Sequence, residues 1–201
     1  MPVPPVPTPM PSPAVQQGRR ACTDLLRQTL LDAVRPAAAP PAGPLAAELA
    51  VFTRPELPAT PATPATPAAP ATLLLIDRNF AAWPLDEPQL LQGLADWLRL
   101  PGRRLCIVAL DFDALARSHP RFARWRRDWA HRIEALCPAD GALPPGLRLL
   151  AAGPVLLQWL DAPDWRLRCV TNVVHVQSLR DQCADFLQRC EPAWPATTLG
   201  L

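Results

Sequence analysis

The sequence predicts an α/β fold: one small mixed-sheet domain flanked by helices, behind a proline-rich N-terminal region expected to be disordered. Three observations carry that prediction. Prolines come in runs before Thr72 and singly after it. Short continuous apolar runs, LLLID from Leu73 and RLCIVAL from Arg104, read as buried strands. Between and beyond them apolar residues recur at helical spacing, and strands alternating with helices place helices against a sheet.

Residues 1–15 are proline-rich and are expected as extended, solvated polyproline II. Residues 16–57 form a weakly helical segment. Within it Leu25, Leu26, Leu30, Leu31 and Val34 make an amphipathic face from Gln16 to Val34, and a second weak pattern spans Pro44 to Phe52. Residues 58–72 repeat Pro-Ala-Thr and predict a semi-rigid linker, with a proline-motif ligand as the alternative. Residues 73–201 then form the α/β domain, roughly 130 residues around one core.

Inside that domain, Leu73 to Asp77 is the first buried strand. Asp86 is expected to cap the next helix, with Pro88 in its first turn and Leu90, Leu91, Leu94, Trp97 and Leu98 facing the core. Pro101 and Gly102 end it. Arg104 to Leu110 is a second central strand, which delivers Asp111, Phe112 and Asp113 to its carboxyl end, where ligands gather in open α/β sheets. Ser118 to Glu134, SHPRFARWRRDWAHRIE, packs arginines, tryptophans and two of the three histidines into one short helix. A strand near Arg132 to Leu136, a strand pair within Leu147 to Leu160, a strand from Arg166 to Asn172 and a closing helix from Val176 to Cys190 complete the domain. The closing helix is expected to bury Leu179, Cys183, Phe186 and Cys190.

All 20 basic residues are arginines, and the chain has neither lysine nor tyrosine. A GC-rich coding bias accounts for this, and its chemical consequence stands regardless: no Schiff-base lysine, P-loop lysine, lysine base or tyrosine nucleophile can exist here. A net charge of +2 gives no support to nucleic acid or a membrane surface as partner of the whole chain. The six cysteines are widely spaced, without CxxC or zinc spacing, so no metal site is expected, and no cofactor motif is present. Cys183 and Cys190 would stand about 10 Å apart on one helix, beyond disulfide reach, which reads as reduced thiols in a reducing compartment. With no signal-peptide pattern and no apolar run of membrane-spanning length, the location expected is cytoplasmic.

Candidate chemistry concentrates near the second strand. Phe122, Trp125 and Trp129 share one helix face as core residues, while Arg117, Arg121, Arg124 and Asp128 make the opposite stripe. That stripe is either a solvated basic face or an anion site, since guanidinium groups suit bidentate oxyanion contacts. Arg126 falls toward the core and needs a carboxylate, with Asp111, Asp113 and Asp77 as candidates, giving a structural ion pair or the base of a ligand pocket. His119, before a proline at a helix start, could cap, stack or titrate. The tail Trp194 to Leu201, WPATTLGL, is apolar and suited to docking as an extended segment.

The runs LLLIDRNFAAWPLD, RRLCIVALDFDALARSHPRFARWRRDWAHRIE and LRDQCADFLQRCEPAWPATTLGL resemble a bacterial domain of unknown function sometimes found beside acetyltransferase-like domains. The order of strands and helices is also similar to one half of the phospholipase D fold. That fold's catalytic motif needs a histidine, a lysine two residues on and a later aspartate, and a chain without lysine cannot contain it. The resemblance therefore implies a catalytically dead member that keeps a phosphate-facing cleft.

Together these readings give a non-catalytic cytoplasmic module binding an anionic, phosphate-bearing ligand or a protein partner. Its ligand-binding candidates are Asp111, Asp113, His119, Arg121, Arg124 and Arg126, within the Arg117 to Arg127 cluster. The rivals are a degenerate phosphodiesterase-type hydrolase using His119 or His131 with Asp111 or Asp113, and a purely structural or oligomerisation domain.

Overall fold

The computed structural model describes residues 13–35, 71–161 and 166–195. The expectations for residues 1–12, for Pro44 to Phe52, for most of the Pro-Ala-Thr repeat and for the last residues of the tail lie outside them. The described chain is an α/β fold with one seven-stranded mixed sheet in the order β6-β5-β4-β1-β2-β3-β7. Its elements are α1 (Pro13–Val34), β1 (Thr72–Ile76), α2 (Pro88–Arg99), β2 (Arg104–Val108), α3 (Phe112–Ser118), α4 (Pro120–Asp128) and β3 (Ile133–Pro138). They continue with β4 (Leu149–Ala152), β5 (Val155–Asp161), β6 (Arg166–Cys169), α5 (Val173–Leu187) and β7 (Cys190–Pro192).

β1, β2 and β3 run parallel, and every other pairing is antiparallel. Because β1, β2 and β3 are consecutive neighbours, right-handed crossovers put α2 and the α3–α4 pair on the same face of the sheet. Alternation along the strands then divides the core. Leu73, Leu75, Leu105 and Ile107 pack under α1, α2, α3 and α4, whereas Ile76, Cys106 and Val108 pack under α5 through Leu179, Cys183 and Phe186.

α1 belongs to that first core. Its buried ridge is Cys22, Leu26, Leu30 and Val34, at a spacing of four throughout, and Leu25 points out at 43% exposure. Gly93 on α2 permits the approach: a Cβ there would come within 2.9 Å of a Val34 methyl.

Four sequence expectations are corrected. Ser118 to Glu134 is not one helix, because chain direction breaks at His119 (φ −131°, ψ 67°), the residue before Pro120, where proline disfavours helical geometry. Its last residues already lie in β3. Asp86 does not cap α2, whose first flanking residue is Glu87 with no side-chain cap. The Asp86 carboxylate instead accepts from the N–H groups of Arg121 (2.6 Å) and Phe122 (3.0 Å), two donors that the first turn of α4 leaves without helical partners. The closing helix starts earlier, at Val173, with Asn172 accepting from His175 N–H at 3.0 Å. It also ends earlier, at Leu187, and Cys190 opens the edge strand β7.

Candidate anion site at the carboxyl end of the sheet

The site follows from the register of β1 and β4. Ile76 stands opposite Leu149 in an antiparallel pair, so the next residues outward, Asp77 and Arg148, face each other. Arg148 donates to the Asp77 carboxylate at 2.7 Å, with the Asp77 side chain 2% exposed and that of Arg148 22% exposed. The same carboxylate accepts from Trp83 Nε1 at 3.0 Å and from the backbone N–H groups of Asn79 (3.2 Å) and Phe80 (3.3 Å). The turn after β1 is thereby wrapped around one buried carboxylate, with Phe80 in a left-handed conformation at φ 56°.

The Arg148 guanidinium also lies 5.1 Å over the Trp159 ring, which fixes its plane. Arg78, the next residue along, is exposed and pairs with no carboxylate among the described residues. Its backbone carbonyl accepts from Leu110 and Asp111, each at 3.0 Å, tying the ends of β1 and β2 together.

Two clefts flank this arginine pair. One, of about 260 Å³, is lined by Arg19, Arg78, Asn79, Ala81, Ala82, Arg148 and Trp159. The other, of about 310 Å³, shares Arg78 and Arg148 and is walled by Leu110 and the loop from Gly141 to Gly146. Gly146 holds φ +79°, and a Cβ there would press on the Gln158 amide at 3.2 Å, so that wall favours glycine. Among the described residues no carboxylate lines either cleft, and no serine, cysteine or histidine does.

None of the six sequence candidates lines these clefts. Asp111 caps α3, accepting from Ala114 N–H at 2.7 Å, and Asp113 is exposed on the first turn of the same helix. His119 is buried and its Nε2 donates to the Phe80 carbonyl at 2.8 Å, while Nδ1 has no hydrogen-bond partner among the described residues. Arg121 and Arg124 are exposed, Arg121 with Nε 4.0 Å from Asp86.

Arg126 is buried, as its place on the helix predicts, but pairs with no carboxylate among the described residues. It donates to the Trp194 carbonyl and stacks at 4.3 Å over the Trp194 ring. Burial lowers its pKa. Asp77 is already held by Arg148, and Asp111 by its capping role. His131 is exposed and stacked near Trp129 at 6.3 Å, and no hydrogen bond joins either histidine to Asp111 or Asp113 among the described residues.

Among the described residues no group of three or more histidine, cysteine or acidic side chains could hold a metal ion, and no helix is long and apolar enough to cross a membrane. All six cysteines are free thiols. No family model, curated protein or solved structure matches the chain.

Proposed function

We propose that this chain is a non-catalytic cytoplasmic binding module whose ligand is an anion carrying phosphate or a similar oxyanion, held by Arg78 and Arg148 at the carboxyl end of β1. The observation that carries this reading is the shared arginine pair between two clefts that, among the described residues, no carboxylate lines. Arg148 is immobilised by Asp77 and Trp159, so its planar fork is ordered before a ligand arrives. Asp77 offsets one positive charge, and Arg78 leaves the cleft cationic among the described residues. Binding rather than turnover is favoured because the described residues of the cleft walls supply no nucleophile, acid or base. The phospholipase-D-like architecture stays part of the proposal, as a scaffold that presents phosphate-binding groups without the catalytic histidine and lysine.

Thermal unfolding of the full chain in inorganic pyrophosphate, against chloride at matched ionic strength, tests this. A ligand that binds only the folded state raises Tm. The expected result is a pyrophosphate-specific rise in the wild type that Arg78→Ala abolishes; no rise, or the same rise in Arg78→Ala, overturns the reading.

A further inference from the structure

The two clefts beside Arg78 and Arg148 differ in what else lines them. One holds Asn79 and Trp159, with polar groups of their own. The other, of about 310 Å³, is completed by Leu110 and the loop from Gly141 to Gly146. Apart from the arginines, its described side chains form no hydrogen bonds: Leu110, Ala142, Leu143, Pro144 and Pro145 present hydrocarbon.

Much of the backbone in that wall is already paired. The Leu110 N–H donates to the Arg78 carbonyl at 3.0 Å, the Gly141 N–H to the Pro138 carbonyl at 3.0 Å and the Ala142 N–H to the Asp140 carboxylate at 3.1 Å. Pro144 and Pro145 have no N–H to offer. The Pro144 carbonyl accepts from Leu147 N–H at 3.1 Å, and the Gly146 carbonyl from the Gln158 amide at 2.7 Å. These bonds tie the loop at both ends and the prolines stiffen its middle, so the wall keeps its shape without a ligand. Ala142 and Pro145 nonetheless stand exposed and Leu110, Leu143 and Pro144 half-buried, an apolar surface beside two guanidinium groups.

A polar body attached to the anion would give up water at this wall and find few partners in return. An apolar body gains in proportion to the area it hides. The volume limits its size: about 310 Å³ lies at the low end of the roughly 300–1,000 Å³ of small-molecule sites, room for one ring system or a short branched chain. We propose that the anion held by Arg78 and Arg148 is the phosphate of a monoester whose compact apolar body fills this cleft. The terminal phosphate offers its free oxygens to the two planar guanidinium groups, and Leu143 and Pro145 select the body. This ligand class rests on the reading of the arginine pair as an anion site.

Calorimetric titration of the full chain with inorganic phosphate, glycerol phosphate and naphthyl phosphate, at one ionic strength, tests it. Naphthyl phosphate should bind about tenfold or more tighter than either of the others, the scale for hiding the apolar area of a ring. Leu143→Ser, and Pro145→Ser at the exposed rim, should each bring the ratio of naphthyl to inorganic phosphate affinity back toward one, and Arg78→Ala should weaken every complex. Equal affinity for the three compounds, tighter binding of glycerol phosphate, or a naphthyl advantage that persists in both wall variants overturns the ligand class and leaves the anion site standing. If none of the three binds, the anion site and its ligand class fall together.

Discussion

Asp77 satisfies four donors with two oxygens while 1% exposed, and removing it would leave Arg148 without a carboxylate among the described residues. Asp77→Ala is expected to cost about 3 kcal/mol, the scale for orphaning a buried charge; an unchanged urea midpoint would rule that role out. Arg126 behaves differently because its partner is a carbonyl and an aromatic ring. Arg126→Met, which keeps most of the bulk, should cost about 1–2 kcal/mol, where a carboxylate-paired arginine would cost about 3–5 kcal/mol. The burial of Arg126 was legible from its helix position. Its partner was not, because Trp194 comes from 68 residues away, just as Arg148 reaches Asp77 across 71. Cys106 and Cys183 give a pH prediction. Burial raises their thiols from 9.0 to about 12 and about 11. The folded state holds these protons more tightly, so their contribution is complete below pH 9.0 and is lost as pH rises toward about 12. With no lysine or tyrosine in the chain, few other groups titrate there. Urea stability should therefore decline above pH 9.0, less steeply in Cys106→Ala; an equal decline in both would contradict this.

At the scale of elements, β1 and β2 were readable because both faces are covered, which makes each a continuous apolar run. The break between α3 and α4 was signalled by His119-Pro120 but masked by the density of aromatic and arginine residues around it. β7 carried no usable signal: Cys190–Pro192 is three residues long and exists through its pairing with β3. The start of α5 at Val173 was hidden because exposed β-branched residues there look like strand rather than helix. α1 was visible as a helix, though the face it buries is the ridge from Cys22 to Val34 rather than the wider set of leucines. That docking makes a sharp prediction. Leu30, fully buried between α1 and the rest of the core, should cost about 2–5 kcal/mol on change to alanine. Gly93→Leu should cost a similar amount by pushing α1 off α2. Chemical denaturation reads both, and near-wild-type stability in both would show that α1 is dispensable.

On the scale of the whole molecule, α1 shares a core with a sheet that begins at Thr72, so a fragment starting at residue 71 would expose apolar surface under Leu26 and Leu30. The intact chain is accordingly the right object for binding work. The arginines of this chain fall into groups with different surroundings. Arg121 and Arg124 line an exposed helix face, Arg126 is packed against Trp194, and Arg78 and Arg148 border clefts at the carboxyl end of the parallel strands. Sequence reasoning pointed to that end of the sheet and chose the helix arginines beside it, since only the β1 and β4 register brings Arg148 back to Asp77. Under the proposed function the cleft arginines, and not the helix stripe, hold the anion. Calorimetric titration of inorganic pyrophosphate into the full chain, into Arg78→Ala and into Arg121→Ala/Arg124→Ala tests it most directly. Affinity should fall by about tenfold or more in Arg78→Ala and be retained in the double variant. Loss in the double variant with Arg78→Ala unaffected would contradict it.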